Sequence, residues 1–246
     1  MSYYENYWDR SVTKWNLGMI SSDEQFLFSE FLKPGGKCLD YGCGPALRYG
    51  KFLQDKQVDY HGFDISKSAV EQAVHAGIHV EMMDEAGKTN LRDNSMDVAI
   101  CLEVLEHLME PGVALAEMLR CLKPGAPAVI SVPNAGRWEN RVEFFLTGFY
   151  SPGGSPDTSR REPWRDAHIR FYSAATFQRM ARESGFNVEK LIGEKFSLAW
   201  LPVVYRIPFL HKTFGLLSKP FGFLGRVLPS LFSGRMFLIV RKPGHS

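Results

Sequence analysis

Between Lys37 and Asn134 the sequence alternates short β-rich apolar runs with longer helical stretches. Strands that alternate with helices pair in parallel, because each helix returns the chain to the same end of the sheet. Five such strands are predicted, at Lys37–Asp40, Val58–Asp64, Ile78–Met83, Met96–Leu102 and Ala128–Val132. Two more are predicted at 186–191 and 235–241. The sequence therefore predicts an α/β fold with a doubly wound, mostly parallel, seven-stranded sheet and helices on both faces.

The helices between these strands have recognisable ends. Ser68 and Glu71 have the spacing of a capping box, and Gly77 provides a stop for the same helix. The stretch from Pro111 to Leu122 places its apolar residues mostly on one face and ends before Lys123-Pro-Gly125. Ser173 begins a later helix that ends at Gly185.

The chain has 246 residues, 45% of them hydrophobic, which suits one well-buried core. The β-α order continues without a linker, so residues 1–246 are expected to form a single domain. Three segments depart from the regular pattern: an N-terminal aromatic arm (1–33), an insertion after the fifth strand (134–172) and a basic apolar insertion (196–234).

Charge is distributed unevenly along the chain. The net charge is +2, and eight Lys or Arg but no acidic residue follow Glu194, so residues 1–194 carry 2 − 8 = −6. A general nucleic-acid binder spreads a basic surface over its main face, and this acidic body argues against one. No nucleic-acid partner is therefore predicted.

The N-terminus and the cysteines favour a cytoplasmic location. Residues 1–10 carry acids and lack the apolar run of a secretory signal. The four cysteines contain no C-x-x-C pair, and Cys38 and Cys101 lie in apolar runs where buried thiols are expected.

Acidic residues close four consecutive strands: Asp40, Asp64, Asp84 and Glu103. The carboxyl ends of parallel strands line one crevice, so these side chains are expected to converge there. After the first strand, Gly42 and Gly44 let the backbone approach a ligand closely, and the following helix presents free N–H groups to an anion. This pattern predicts a nucleotide-like ligand.

Two features separate the loop from a dinucleotide site. Leu47 stands where the third glycine of the fingerprint belongs, and Asp40 would repel a pyrophosphate. S-adenosylmethionine carries an ammonium, a carboxylate and a sulfonium, which match an acid beside a helix N-terminus. Asp64 lies 20 residues beyond Gly44, about the interval of a ribose-binding acid.

Four segments resemble the successive motifs of class I S-adenosylmethionine-dependent methyltransferases, which have a Rossmann-like fold. They are Leu39-Asp-Tyr-Gly-Cys-Gly44, Gly62-Phe-Asp-Ile65, Asp97-Val-Ala-Ile-Cys-Leu-Glu-Val-Leu-Glu-His107 and Leu122-Lys-Pro-Gly125. The resemblance covers about residues 35–135 and implies S-adenosylmethionine as cofactor. The cofactor-binding residues expected from the motifs and their neighbours are Asp40, Gly42, Cys43, Gly44, Asp64, Ile65, Asp84, Glu85, Ala86 and Glu103.

Within this family, different segments of the sequence resemble two different subfamilies. The Glu-His run is similar to that of ubiquinone-biosynthesis O-methyltransferases, whereas Ser131–Trp138 and His168–Ser173 resemble methionine-biosynthesis W-type proteins. The first resemblance implies methyl transfer to oxygen or nitrogen of a small organic acceptor. The second implies an alternative, a non-catalytic cofactor-binding partner subunit.

A hydroxyl acceptor requires a base, and His107 and His168 are the candidate catalytic residues. Each histidine also has a structural alternative to catalysis. His107 would pair with Glu103 one helical turn away, and His168 would make a contact that supports its loop. Glu103, Glu106 and His107 are competent ligands for a divalent metal, but there is no H-E-x-x-H and no cysteine cluster, so no metal site is predicted.

The insertions are the expected acceptor-facing regions. Segment 134–172 combines arginines with aromatic rings, suited to an anionic or sugar-like acceptor or to a solvated loop. Segment 196–234 is apolar and carries four cations but no acid. It suits a peripheral contact with an anionic membrane, or a hydrophobic lid or homodimer contact, which we favour.

Overall fold

The computed structural model describes residues 20–148, 150, 166–194, 213 and 221–244. Seven strands form one sheet in the order β3-β2-β1-β4-β5-β7-β6. The strands are β1 Lys37–Tyr41, β2 Asp59–Asp64, β3 Val80–Met82, β4 Val98–Leu102, β5 Pro127–Pro133, β6 Asn187–Gly193 and β7 Arg235–Arg241. Neighbours among β1 to β5 pair in parallel, and β7 lies antiparallel between β5 and β6. The predicted doubly wound, mostly parallel sheet is confirmed.

Eight α-helices and one 3₁₀ helix connect these strands in the described part of the chain. The helices are α1 Ser22–Phe31, α2 Tyr49–Asp55, α3 Lys67–His75, α4 Pro111–Cys121, α5 Trp138–Thr147, α6 Ala174–Glu183, α7 Leu224–Val227 and α8 Pro229–Phe232. The 3₁₀ helix spans Leu105–His107. The predicted start of α6 is confirmed, because Ser173 is its N-cap and accepts from the backbone of Thr176.

The predicted capping box of α3 is wrong. Ser66 is the N-cap: its backbone is extended and its hydroxyl accepts from Ala69 N. Ser68 already lies inside the first turn, where its hydroxyl instead accepts from Gln72 Nε2. The stop is as expected, since Gly77 follows the helix with φ +72°.

Part of the predicted N-terminal arm belongs to the folded body. Helix α1 begins with a capping box between Ser21 and Glu24, and Leu27 and Phe28 are buried in the core. The aromatic residues 3–8 of the arm lie outside the described residues.

The sheet is covered on both faces, as expected. One core cluster joins sheet residues such as Leu39 and Ile130 to Met118 of α4 and Phe177 of α6. The other packs the opposite face of the sheet against α1, α2 and α3. Strand order reverses between β1 and β4, and in open α/β sheets ligands bind beyond the carboxyl ends of the strands at such a point. None of the described helices has the length and apolar character needed to cross a membrane.

Candidate active site

The glycine loop after β1 has the backbone that a close ligand approach requires. Gly42 and Gly44 have φ of +74° and +55°, in the left-handed region that favours glycine. A Cβ added at Gly42 would lie 2.7 Å from the methyl groups of Val104. A side chain is therefore excluded at Gly42 by the contact with Val104 as well as by the backbone conformation.

Asp64 ties the end of β2 to the glycine loop. Its Oδ2 accepts from Gly44 N at 2.8 Å, and its Oδ1 accepts from Ser66 N at 2.9 Å. A carboxylate has about four acceptor positions, so these bonds are compatible with further bonds to ribose hydroxyls. The side chain is buried at this edge of the sheet.

Asp40 lies beneath the same loop. The Tyr60 hydroxyl donates to its Oδ2 at 2.7 Å. Burial raises the pKa of Asp40 to about 7, opposed by the Tyr60 hydrogen bond and reinforced by the charge of Asp64. Burial and the charges of Asp40 and Asp64 also raise the pKa of Cys43. Three of the predicted residues, Asp40, Cys43 and Asp64, are thus close neighbours.

The residues predicted near adenine lie on the rim beyond β2 and β3. Ile65 follows Asp64 directly and has 44% of its surface exposed, which presents an apolar face to the crevice edge. Asp84, Glu85 and Ala86 are exposed on a turn in which Asp84 Oδ1 accepts from Lys88 N at 2.7 Å. Asp84 therefore stabilises its own turn, and its part in cofactor binding stays a prediction.

Glu103 sits at the end of β4 with a strained backbone, since its φ is +57°. The Ser131 hydroxyl of the neighbouring strand β5 donates to Glu103 Oε1 at 2.8 Å. Burial raises the pKa of Glu103, and the positive charge of Arg235 opposes that shift. This arrangement fixes a carboxyl group at the centre of the crevice.

Beyond Glu103, one buried carboxyl group and two imidazoles come together. Glu106 is 1% exposed, and its Oε1 lies 3.8 Å from His107 Nε2 and 3.9 Å from His168 Nε2. The two rings stack with centroids 4.8 Å apart. Neither carboxyl oxygen of Glu106 has a hydrogen-bond partner among the described residues. Burial and the charge of Glu103 raise the pKa of Glu106 well above its ordinary value.

Backbone hydrogen bonds hold this cluster together. The Glu106 carbonyl accepts from Ile169 N at 2.9 Å and from Arg170 N at 3.0 Å, which fixes the loop before α6 against the 3₁₀ helix. His107 Nδ1 lies 3.0 Å from the Ala167 carbonyl. Burial lowers the pKa of His107 to about 4, so the ring is neutral near pH 7. The predicted catalytic histidines are therefore brought side by side.

The sequence analysis left out several residues of this site. Glu106 was considered only as a metal ligand, and its place between the two imidazoles depends on a loop about 60 residues further along the chain. Tyr60, Ser131 and Arg235 hold the acidic residues, yet their sequence neighbourhoods give no sign of it. The Glu103-Val-Leu-Glu-His107 run was the one available signal for Glu106.

Aromatic residues border the crevice on the side of the insertion at 134–172. Tyr150 makes edge contacts with Phe144 at 6.2 Å and with Phe171 at 5.8 Å between ring centroids. Of the predicted arginines, Arg141 donates to the Gly136 carbonyl and Arg170 to the Met109 carbonyl, both within the folded body. Arg160, Arg161 and Arg165 lie outside the described residues.

The whole arrangement fits S-adenosylmethionine. The glycine loop, Asp64 and the apolar Ile65 would supply backbone approach, a ribose acceptor and an adenine surface along one edge of the sheet. The carboxyl groups of Asp40, which is buried, and Glu103, which is half-buried, would suit the positively charged portion of the cofactor. Near its methyl group, the cluster of Glu106, His107 and His168 would face the acceptor.

Comparison with known proteins agrees with this geometry. A family model described as a methyltransferase domain matches residues 20–191. The ubiquinone biosynthesis O-methyltransferase of Thiobacillus denitrificans is 26% identical over 186 residues, 70% of this chain and 73% of the relative. Phosphoethanolamine N-methyltransferase 1 of Arabidopsis thaliana is 30% identical over 121 residues, 46% of this chain but only 24% of the relative.

A solved structure shows the same fold. An S-adenosylmethionine-dependent methyltransferase of Thermotoga maritima superposes with a TM-score of 0.65 at 16% identity, covering 98% of this chain and 100% of the other. Family, relatives and fold together support an enzyme over the non-catalytic alternative. The chain belongs to the methyltransferase-domain family and is a class I S-adenosylmethionine-dependent methyltransferase.

Proposed function

We propose that this enzyme transfers the methyl group to an oxygen or nitrogen atom of a small organic acceptor. The observation that carries the proposal is the buried cluster of Glu106, His107 and His168 beyond the carboxyl end of β4. It lies next to Glu103, whose charge raises the pKa of Glu106. Such a group of proton-accepting side chains serves an acceptor that must lose a proton.

The bound cofactor supplies an electrophilic methyl group. Direct displacement at that carbon needs the acceptor atom in line and water excluded. The loop at 166–172 and the aromatic residues Phe144, Tyr150 and Phe171 would orient the acceptor. The cluster of Glu106 and the stacked rings of His107 and His168 would promote loss of the proton from the hydroxyl or amine.

Relatives support both acceptor atoms. The Thiobacillus denitrificans relative is named an O-methyltransferase, and the Arabidopsis thaliana relative is named an N-methyltransferase. We favour oxygen, because a neutral amine attacks without a base whereas a hydroxyl benefits from one.

The described end of the basic apolar insertion, residues 221–234, is proposed as a wall of the acceptor cleft. The Asn134 amide donates to the carbonyls of Pro229, Ser230 and Ser233, which attaches α8 to the end of β5. Arg226 pairs with Asp23, so one of the four cations of the segment faces the body of the protein. Peripheral membrane contact, a homodimer, the absence of nucleic acid and the cytoplasmic location stay predictions.

The test is transfer of label from methyl-labelled S-adenosylmethionine to a set of phenolic and catecholic hydroxyl compounds and of primary amines. We expect a labelled O-methyl or N-methyl product with the wild-type chain. His168→Asn should lower kcat by about 10²–10⁴-fold. The dissociation constant of the cofactor should stay unchanged, since His168 lies on the acceptor side.

His79→Asn is the matched control. His79 is also paired with an acid, Glu81, but it directly precedes strand β3, away from the cluster. It should retain full activity. Label found on carbon, or a wild-type rate equal to that of His168→Asn, would rule out the proposal.

A further inference from the structure

We propose that Glu106, His107 and His168 bind a divalent transition-metal ion of the zinc type. This inference rests on the proposed function only for the role of the ion, which would hold the acceptor oxygen. From the sequence no metal site is predicted, because there is no H-E-x-x-H motif and no cysteine cluster, and His168 is distant in sequence from Glu106 and His107.

The ligand atoms converge on one point. One atom from each residue, the carboxyl oxygen of Glu106 and a nitrogen of each imidazole, lies within 4.8 Å of the other two. Two histidines and one carboxylate are an established ligand set for zinc and for non-haem iron. Among the described residues this is the one group of three or more such side chains with that spacing.

The opposite sides of the imidazole rings are arranged as in metal sites. His107 Nδ1 is hydrogen-bonded to the Ala167 carbonyl at 3.0 Å, and His168 Nδ1 lies 3.2 Å from Asp166 Oδ1. The Ala167 carbonyl favours the His107 tautomer with its proton on Nδ1, which leaves the Nε2 lone pair on the side of Glu106, whereas the contact of His168 with Asp166 lacks hydrogen-bond geometry and fixes no tautomer. Metal-bound histidines commonly contact a carbonyl or carboxylate through their second nitrogen in this way.

Glu106 provides the second, independent observation. Its carboxyl group is 1% exposed, and within the described residues neither oxygen has a hydrogen-bond donor. A buried carboxyl group without a hydrogen-bond partner is unfavourable in either protonation state, and most of all as a carboxylate. A cation between the three atoms would remove this cost.

The cluster requires a small adjustment to close around an ion. Metal–ligand distances of about 2.1 Å place tetrahedral ligand atoms about 3.4 Å apart. The 3.8 Å and 3.9 Å separations from Glu106 would have to shorten by about half an ångström, and the separation of the imidazole nitrogens, up to 4.8 Å, by up to about 1.4 Å, through rotations of the side chains. The hydrogen bonds from Ile169 and Arg170 to the Glu106 carbonyl hold the backbone in place meanwhile.

Three protein ligands leave an open coordination position, as in catalytic sites. An acceptor hydroxyl bound there would lose its proton to solvent more readily, because the cation stabilises the oxygen anion. That oxygen then forms the bond to the methyl carbon as the carbon–sulfur bond breaks, and the electron pair of the broken bond stays on sulfur.

The experiment is a metal titration of the full chain after removal of metal with a chelator. We expect one Zn²⁺ per chain by calorimetry, and one Co²⁺ with the visible absorption bands of a low-coordinate site. Glu106→Gln, His107→Asn and His168→Asn should each weaken Zn²⁺ binding at least tenfold. Circular dichroism and cofactor affinity report whether each variant is folded.

His79→Asn is again the control, because the His79 ring makes an edge contact with His61 at 5.2 Å between centroids and lies near Glu81, but these residues do not form a group of three converging ligands. It should bind Zn²⁺ as the wild type does. Absence of Zn²⁺ binding by the folded wild type, or equal binding by the three variants, would overturn the metal site. Transfer of label by protein that binds no metal would contradict the metal site but not the proposed function. Binding of Zn²⁺ without any transfer of label to oxygen or nitrogen would contradict the proposed function but not the metal site.

Discussion

Asp64 has two roles that a single carboxylate can fill together. It accepts backbone hydrogen bonds from Gly44 and Ser66, and thereby fixes the glycine loop to the end of β2. We predict that the same oxygens also accept hydrogen bonds from the ribose hydroxyls of the cofactor. Loss of the side chain should thus affect both the shape of the loop and the ligand.

We expect Asp64→Ala to weaken S-adenosylmethionine binding by about 1–3 kcal/mol, because a charged hydrogen-bond acceptor is removed. Calorimetry measures the change. Asp59→Ala is the control, since Asp59 is an exposed acid at the opposite end of the same strand. If Asp64→Ala binds the cofactor as tightly as the control, the assignment of Asp64 to ribose is wrong.

Helix α4 anchors the connection that leads from β3 to β4. Glu117 Oε1 accepts from the backbone and hydroxyl of Thr89 at 2.8 and 2.7 Å, and from Arg120 Nη2 at 2.6 Å. Burial opposes ionisation, but the bonds from Arg120 and Thr89 lower the pKa of Glu117 to about 2. This contact fixes the connection at Thr89 against α4.

This anchor predicts a defined pH dependence. The folded pKa lies below the ordinary value of 4.5, so the stabilisation is complete above pH 4.5 and is lost as the pH falls toward 2. We expect Glu117→Gln to reduce the free energy of unfolding by about 2 kcal/mol at pH 7. The difference from wild type should vanish near pH 2.

Denaturant titrations at pH 7, 4 and 2.5 measure the effect. Glu71→Gln serves as the control, because Glu71 forms an exposed pair with Lys67 at 3.6 Å and such pairs contribute little. A Glu117→Gln deficit that does not change with pH would show that packing, and not the charge, stabilises this contact.

Across the whole molecule, Arg235 joins elements from both ends of the chain. It pairs with Glu24 of α1 at 2.7 Å and with Glu194 beyond β6 at 2.6 Å. Glu24 is fully buried and also accepts from Arg48 and Tyr49 around the start of α2. Arg226 and Arg241 likewise pair with Asp23 and Glu189. The basic C-terminal part of the chain is therefore partly neutralised by the acidic body.

We expect Arg235→Ala to lower the free energy of unfolding by about 3 kcal/mol, because it leaves buried carboxylates without their main cation. Arg241→Ala is the control: it removes a half-exposed pair at the other end of β7 and should cost less than about 1 kcal/mol. Urea unfolding of both variants measures the two values. Equal losses would mean that burial of the network adds nothing.

Local patterns were sufficient for most of the fold. Alternating apolar runs placed all seven strands, and β7 has the predicted bounds, 235–241. Local patterns were insufficient for helix α1. Its only local signal is a capping box, and the helix is stabilised by the burial of Leu27 and Phe28 in the tertiary structure. The start of α3 was misjudged because two serines, Ser66 and Ser68, both suit a cap, and only the backbone conformation selects one.

The sequence by itself determined the sheet, the glycine turn and the acids at the strand ends. Each of these features depends on a local pattern: apolar runs form strands, and glycine permits the left-handed backbone of the turn. Because strands that alternate with helices pair in parallel, the acids that follow them lie at one edge of the sheet. Only the tertiary structure decided which side chains meet there. Glu106 and His168 become neighbours because backbone bonds from Ile169 and Arg170 fold a distant loop onto the 3₁₀ helix. Burial then gives that carboxyl group a chemistry that its sequence position does not reveal.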